Sequence, residues 1–242
     1  MHAIQPQPYI YICRKLIGAR YYIKGYAALI GKDNVNSSME TVRDYEGHGS
    51  HTLSTAGGNF VPGATLFGVA NGTVKGGAPR ARLASYKVCW PPILGIFGGC
   101  TDADVLKAID MAIHDRVDVL SISAGGFRDD YFHDAFSIGA FHAVKNGIAV
   151  VCSGGNSGPT YESVNNNSPW IFTVGASTID RKFVTNVLLR NGERLQGSSL
   201  IKPLPQEKFY PLISAAQAKV SNATIEDACV YIYKYQCFYG DT

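Results

Sequence analysis

The chain has 242 residues, of which 46% are hydrophobic, and it carries 22 Lys and Arg against 19 Asp and Glu. At ~150 residues per domain, this length predicts one large domain, or one domain and part of another. The net charge of +3 is too small and too dispersed for a nucleic-acid-binding protein. No stretch approaches the ~20 apolar residues of a membrane-spanning helix. The apolar content excludes a disordered chain.

Four apolar runs predict buried β-strands. They are rich in branched and aromatic side chains and occupy residues 83–89, 117–123, 147–155 and 170–177. Two segments with helical periodicity separate the first three runs. The first helix is predicted by Val105, Ile109, Ala112 and Ile113, behind a capping box of Thr101 and Asp104; the second is predicted by Phe136, Ile138, Phe141 and Val144, and ends at Gly147.

The alternation of strands and helices predicts an α/β fold. Near-continuous apolar strands joined by helices indicate a parallel sheet that is covered on both faces. Ligands of such sheets bind beyond the carboxyl ends of the strands. We therefore expect the functional zone at residues 121–126 and 153–159, which read SISAGG and SGGNSGP.

The sequence changes character after residue 178. Residues 187–197 predict two short strands joined at Asn191-Gly192, a pair that favours a type I′ hairpin turn. The last fourteen residues show no periodicity, and the chain contains no internal repeat.

The six cysteines contain no C-x-x-C pair, which argues against a zinc ribbon or a thioredoxin-like site. Cys89 and Cys100 are close enough in sequence to form a disulfide, although free thiols are equally compatible with the sequence. Four N-x-[ST] sequons favour a secretory history; they begin at Asn36, Asn71, Asn166 and Asn222. The N-terminal residues of the chain lack the basic and apolar regions of a signal peptide.

His48 is the candidate general base. Gly47 and Gly49 flank it, and the Ser- and Thr-rich stretch that follows can begin a helix, whose N-terminal dipole favours a neutral imidazole. One alternative is a structural histidine in a turn. Another is a metal site formed by Asp44, His48 and His51, but the sequence supplies neither a fourth ligand nor the spacing of known zinc motifs.

Asn156 follows a predicted strand, where its amide could donate a hydrogen bond to a developing negative charge. The alternative is a turn asparagine in a left-handed conformation. The neighbouring strand ends at Ser123-Ala124-Gly125, whose backbone could pair with an extended peptide. A nucleotide-binding loop is the rival interpretation, but the chain contains neither G-x-G-x-x-G nor G-x-x-x-x-G-K-[ST].

Successive blocks of the sequence resemble those of plant-type subtilases, the subtilisin-like serine endopeptidases. The blocks are GHGSHT at 47–52, GGAPRARLASYKVCW at 76–90, VDVLSISAGG at 117–126, VVCSGGNSGP at 150–159 and PWIFTVGASTIDRKF at 169–183, with CRKLIGAR upstream and GSSL downstream. The resemblance implies an α/β, three-layer subtilisin-like fold with a mostly parallel sheet, incomplete at both ends. It also implies a partial peptidase domain over residues 1–202, then the truncated start of a protease-associated insert and a divergent tail over 203–242.

The resemblance also implies a role for each matching residue. His48 matches the general base of the catalytic triad and Asn156 matches the side-chain donor of the oxyanion hole. Six residues match the two walls of the primary specificity pocket: Ser123, Ala124 and Gly125 on one side, and Ser153, Gly154 and Gly155 on the other. The family implies a peptide or protein substrate, an extracellular location, and no metal or organic cofactor.

Two blocks of the family have no match in this chain. The family has an Asp in a D-[ST]-G turn before the histidine and a nucleophile in a downstream G-T-S-x-A block. Asp33 and Asp44 lack the required flanking residues, and Ser198 lies in the predicted hairpin rather than at a helix start. We therefore expect a chain that is inactive as it stands and prone to aggregation. The alternative function is non-catalytic binding of a peptide or an inhibitor.

Three smaller departures from the family pattern bear on stability and specificity. Arg116 occupies the position of a usual glycine after the first helix, where a left-handed backbone costs a non-glycine residue on the order of 1 kcal/mol. Ala124 replaces a usual Leu and Gly154 a usual Ala, so both walls of the pocket are trimmed.

Overall fold

The computed structural model describes residues 15–66, 68–91, 99–125, 130–178 and 183–198. The described residues belong to two compact units that divide between residues 181 and 182. Each unit is considered by itself. The proposed tail over residues 203–242 lies outside the described residues, so the boundary at residue 202 stays a prediction.

The strands, in chain order, are β1 (Leu16–Tyr21), β2 (Val61–Leu66), β3 (Val69–Val74), β4 (Leu83–Lys87), β5 (Cys89–Trp90), β6 (Gly99–Cys100), β7 (Val119–Ile122), β8 (Ala149–Ser153), β9 (Phe172–Val174), β10 (Val184–Leu188) and β11 (Arg194–Ser198). The helices are α1 (Lys24–Ile30), α2 (His48–Gly57), α3 (Asp102–His114) and α4 (Ala135–Lys145), with a short 3-10 helix at Lys32–Asn34. All four predicted strands are present but shorter than expected, and the first is divided into β4 and β5.

Strands β7, β8 and β9 form a parallel sheet in that order, as the alternation of strands and helices predicts. Helices α3 and α4 pack together over one face of it, and their apolar side chains form the main core with those of β8. Gly139 allows the close approach of the helices, because a Cβ at this position would lie 2.5 Å from Cδ1 of Ile109. A second parallel pair joins β1 to β4, while β2–β3 and β5–β6 are antiparallel.

The other face of the β7–β8–β9 sheet is open within the described residues, where the sequence predicted cover on both faces. Successive side chains of a strand point to opposite faces. Leu120, Ile122 and Val150 accordingly face the helices. Val119, Phe172 and Val174 are 55%, 66% and 53% exposed, respectively. The described chain therefore covers one side of this sheet with helices and leaves apolar side chains on the other.

The predicted capping box at the start of α3 is wrong. Thr101 is the N-cap residue, but its hydroxyl donates to the Asp104 carboxylate and caps no backbone N–H. Asp104 is 2% exposed, and its two oxygens accept hydrogen bonds from the N–H groups of Gly25 and Tyr26, each at 2.9 Å. These two N–H groups belong to the first turn of α1, where they have no partner within the helix. Asp104 therefore joins α1 to α3 instead of capping its own helix.

Cys89 and Cys100 form the disulfide that their spacing allowed, and it joins the antiparallel strands β5 and β6. Cys152, on β8, is a buried free thiol, and burial raises its pKa to about 12. A thiol with such a pKa is almost entirely protonated at neutral pH and reacts slowly.

The second unit contains the predicted hairpin, with β10 and β11 paired in antiparallel register. Its turn is not of type I′, which needs positive φ at both central residues. Gly192 has a φ of 87°, but Asn191 is absent from the positive-φ residues of the described chain. Gly192 N–H donates to the carbonyl of Leu189, and Leu189 N–H to the carbonyl of Glu193, so the loop has three residues and ends on a left-handed glycine.

Candidate functional site

His48 is the first residue of α2, as the glycine-flanked pattern predicts. Gly47, the N-cap residue, has a φ of 100°, a left-handed conformation that glycine adopts without strain. The carboxylate of Glu46 accepts the His48 N–H at 2.9 Å, which satisfies one of the N–H groups that the first turn leaves open. The backbone of His48 is therefore fixed while its side chain remains exposed.

Asp44 organises the turn that leads into α2. Its carboxylate accepts hydrogen bonds from the N–H groups of Glu46 at 3.2 Å, Gly47 at 2.8 Å and Ser50 at 2.7 Å. The Gly47 N–H is the main reason that the pKa of Asp44 falls to about 2. Because these donors occupy both carboxylate oxygens, Asp44 acts as a helix cap. In the described part of the chain, it forms no metal-binding group with His48 and His51.

Lys87, at the end of β4, also contacts the turn that leads into α2. Its ammonium donates to the carbonyl oxygens of Arg43 at 2.7 Å and Thr41 at 3.4 Å. It also lies 4.2 Å from the centroid of the Trp90 ring and 5.8 Å from that of Tyr45. Burial lowers the pKa of Lys87, against the attraction of the Asp44 carboxylate. The turn before His48 is thus tied to a strand of the β1–β4 sheet.

The two predicted walls lie side by side at one edge of the β7–β8–β9 sheet. Ile122 pairs with Cys152 in the parallel register, so Ser123 to Gly125 and Ser153 to Gly155 continue from neighbouring strands at the same end. Ala124 and Gly154 are half-buried, whereas Gly125 and Gly155 are exposed. Asn156 follows Gly155 directly and is exposed beyond the end of β8. These seven residues are brought together.

Asn166 joins the two walls, a role that the sequence analysis missed. Its side-chain Nδ2 donates to the carbonyl oxygens of Ala124 and Ser153, both at 2.9 Å. The Thr173 hydroxyl, on β9, donates to the backbone carbonyl of Asn166. In the sequence, Asn166 was visible only as the first residue of a sequon, and no local pattern indicated its long-range partners.

None of the helices in the described ranges combines the length and the apolarity that crossing a bilayer requires. Metal-binding groups of three or more His, Cys, Asp or Glu side chains are likewise missing from those ranges.

The comparisons with known proteins agree with the resemblance of the sequence blocks. Residues 16–231 match the Subtilase family. The chain is 60% identical over 215 residues to subtilisin-like protease SBT5.4 of Arabidopsis thaliana, covering 89% of this chain and 27% of that protein. It is 57% identical to SBT5.3 of the same plant, covering 89% and 28%, and 51% identical to subtilisin-like protease Glyma18g48580 of Glycine max, covering 89% and 27%.

Among solved structures, the chain is similar to an S41 psychrophilic protease, with 20% identity and a TM-score of 0.42 over 75% of this chain and 56% of that one. It spans little more than a quarter of the length of the curated relatives. The family match nevertheless covers most of the chain and includes both walls, Asn156 and His48. The chain belongs to the subtilase family, and its fold class is α/β.

Proposed function

We propose that this chain supplies part of the active site of a serine endopeptidase. The observation that carries the proposal is the pairing of two glycine-rich strand ends, each with an exposed glycine at Gly125 or Gly155, and with Asn156 exposed directly after Gly155. Exposed backbone at a sheet edge can pair with an extended peptide, which would be held as an added strand. In this arrangement Ser123, Ala124 and Gly125 form one wall for the substrate side chain, and Ser153, Gly154 and Gly155 form the other.

We assign one role in the reaction to His48 and another to Asn156. In a Ser-His-Asp mechanism, the imidazole takes the proton of the attacking hydroxyl and later gives it to the leaving amine. His48 fits this role because its backbone is held by the Glu46 carboxylate and its ring is exposed at the start of α2. Asn156 would donate its amide hydrogen to the tetrahedral oxygen, an interaction typically worth 10²–10³ in turnover.

We propose that the chain as it stands does not hydrolyse peptides. Its sequence contains neither a D-[ST]-G turn before His48 nor a G-T-S-x-A block. Loss of the nucleophile from a complete triad costs about 10⁶ in turnover, or roughly 8–9 kcal/mol of transition-state stabilisation. The oxyanion hole and the walls would retain only about 10³–10⁴ over water.

Non-catalytic binding of an extended peptide or an inhibitor is the second candidate function. The features that favour it are the same strand ends, which do not depend on the missing blocks. Gly125 is essential to it, because a Cβ at this position would lie 2.7 Å from the Asn166 amide. A Gly125→Val variant should therefore lose peptide binding, and an Asn156→Ala variant should retain it, since Asn156 acts on a transition state.

A peptidyl chloromethyl ketone tests whether His48 faces the peptide site without requiring catalysis. An imidazole nitrogen of His48 would displace chloride from the reagent, forming a C–N bond and releasing a proton. His51 lies one turn further along α2 and is also exposed, so it is an internal control in the same molecule. We expect mass spectrometry to find the adduct on His48, with protection by excess peptide. Equal labelling of both histidines, or labelling unaffected by peptide, would contradict the proposal.

A fluorogenic peptide assay tests the proposed inactivity. We expect no turnover above background from the purified chain. Turnover that disappears in a His48→Ala variant would overturn the proposed inactivity and support the proposed role of His48.

We further propose a secreted glycoprotein, with Asn36 as one glycan site. Asn36 is exposed, and its Oδ1 accepts the N–H of Ser38, so its amide nitrogen points away from that turn. Expression in a eukaryotic secretory pathway should give a mass shift that a peptide N-glycosidase removes and that is smaller by one glycan in an Asn36→Gln variant.

A further inference from the structure

We propose that Asn166 is a specificity-determining positioning residue, whose one carboxamide sets the separation of the two walls of the peptide cleft. This inference rests on the proposed function, because it assigns a role to those walls as the site of a substrate side chain. The reaction chemistry would belong to other residues, and Asn166 would decide which side chains enter.

Both hydrogens of the side-chain amide nitrogen of Asn166 are used in joining the walls. Its two N–H groups donate to the carbonyl oxygens of Ala124 and Ser153, which lie 42 and 13 residues away in the sequence. An amide nitrogen has two hydrogens at a fixed angle, so both acceptors have to stay in place together. Asn166 is only 8% exposed, and loss of the amide would leave two carbonyls without these partners.

The backbone of Asn166 is held as firmly as its side chain. Its φ of 54° is a left-handed conformation that asparagine tolerates better than most residues. The Thr173 hydroxyl donates to its carbonyl, so Asn166 connects β8 and the segment after β7 through its side chain, and β9 through its backbone. Asn166 therefore joins the ends of the three neighbouring strand segments.

The glycines of the walls fit this arrangement. A Cβ on Gly125 would lie 2.7 Å from Nδ2 of Asn166, and a Cβ on Gly155 would lie 2.7 Å from Nδ2 of Asn165. Cβ atoms essentially never lie this close to another atom, so a side chain on either glycine would force the neighbouring asparagine to move. Each wall therefore has a glycine where one of the two asparagines approaches it.

The same geometry removes Asn166 from the candidate glycan sites. Its sequon reads Asn166-Asn167-Ser168, but both hydrogens of its amide are donated inside the fold. A glycosylated amide nitrogen keeps only one hydrogen, so a glycan on Asn166 would break one of these two hydrogen bonds.

Two substitutions distinguish the effect of the Asn166 side-chain amide from the effect of its left-handed backbone conformation. Asn166→Gly removes the amide and keeps a residue that adopts positive φ readily, and Asn166→Asp keeps the size but replaces the donor with a carboxylate facing two carbonyls. Asn167→Gly is the matched control, since Asn167 is the adjacent exposed residue. Thr173→Val is a milder second variant that removes only the hydroxyl donor to the Asn166 carbonyl.

The first readout is selectivity. Binding of three extended peptides that differ only in one side chain, alanine, leucine or phenylalanine, is measured by fluorescence anisotropy for each variant. With the walls released, we expect the ratio of affinities for the phenylalanine and alanine peptides to change by about fivefold in Asn166→Gly and to stay constant in Asn167→Gly. If Asn166 had only a structural role, its substitution would lower the affinity for all three peptides by the same factor, and that result would overturn the proposal.

The second readout is the carbonyl ¹³C chemical shift of Ala124 and Ser153, which reports the two hydrogen bonds directly. Both resonances should move in Asn166→Gly and remain in place in Asn167→Gly. Unchanged carbonyl shifts would show that Asn166 does not hold the walls and would overturn the inference even if peptides bind. The carbonyl shifts could move in Asn166→Gly while the unaltered chain binds no peptide. That result would overturn both the proposed function and the specificity role, and would support only the two hydrogen bonds of Asn166.

Discussion

The Lys87 ammonium lies 4.2 Å from the centroid of the Trp90 ring, at the end of the strand that supports the His48 turn. Burial lowers its pKa, so the charge is partly removed from water, where cation–π contacts are worth up to about 2 kcal/mol. Its hydrogen bonds to Thr41 and Arg43 extend this interaction to the turn before His48.

A Lys87→Met variant should therefore loosen residues 41–47 and destabilise the chain by about 1–2 kcal/mol. Lys87→Arg should retain most of the stability, because a guanidinium stacks on an aromatic ring and donates to carbonyls. Amide hydrogen exchange over residues 41–50 is the measurement. Lys107→Met, which removes an exposed lysine of α3, is the control and should leave that segment unchanged. Equal protection in Lys87→Met and the control would contradict the role of Lys87.

The Asp44 carboxylate should make the His48 turn sensitive to acid. Its pKa is about 2 in the folded chain, against ~3.9 for an unperturbed Asp, so its stabilising effect is complete above the unfolded pKa and is lost as the pH falls through about 2. Asp44→Asn should cost about 1 kcal/mol at pH 7, the usual contribution of a helix cap, and the difference should vanish near pH 2. Denaturant melts at pH 7, 4 and 2 measure this. Asp33→Asn, in the exposed 3-10 helix, should show no comparable loss.

Arg116 has a φ of 57°, which agrees with the left-handed conformation anticipated from the family's glycine at this position. Its N–H donates to the carbonyl of Ile113, and the N–H of Val117 to that of Ala112, so the positive φ is part of the helix ending. Arg116→Gly should stabilise the chain by about 0.5–1 kcal/mol, since relief of backbone strain exceeds the entropy gained by the unfolded glycine. Arg116→Ala keeps the strain and should show no gain; a gain equal to that of the glycine variant would assign the effect to the arginine side chain.

Substitution by alanine should have different effects on stability at the neighbouring residues Gly154 and Gly155. A Cβ on Gly154 would meet its nearest atom, the Val174 carbonyl oxygen, at 3.6 Å, which is an ordinary contact. A Cβ on Gly155 would meet the Asn165 amide at 2.7 Å, at a φ of 87°. Gly154→Ala should be tolerated and narrow the cleft, whereas Gly155→Ala should lose at least about 1–2 kcal/mol. Thermal melts of the two variants compare them directly, and similar losses would refute this description of the wall.

The elements that the sequence predicted correctly are those whose signals are local. Helix α4 ends where expected because Gly147 takes a φ of 80° just after its last turn. The apolar strands were predicted correctly because a short run of apolar, branched residues by itself indicates a buried strand. The β2–β3 pair was missed, since its strands read VPGATL and VANGTV and lack a clear alternation of apolar and polar side chains.

The features of the fold and of the site that the sequence analysis missed depend on partners far away in the sequence. Asp104 matched a capping pattern three residues from Thr101, but it binds the N–H of Gly25, 79 residues away. Asn166 matched a sequon, but its acceptors lie on two strand ends whose convergence only the sheet register shows. The family resemblance identified residues that would touch a substrate and gave no indication of the residues that hold them.

The open side of the β7–β8–β9 sheet has a thermodynamic consequence. Val119, Phe172 and Val174 are already more than half exposed in the folded state, so unfolding adds less to their hydration than to that of a buried side chain. Both the heat-capacity increment and the urea m-value scale with newly exposed apolar area. The urea-induced transition of this chain should therefore be broader, and its calorimetric heat-capacity increment smaller, than those of a protein of equal length whose sheet is shielded on both sides.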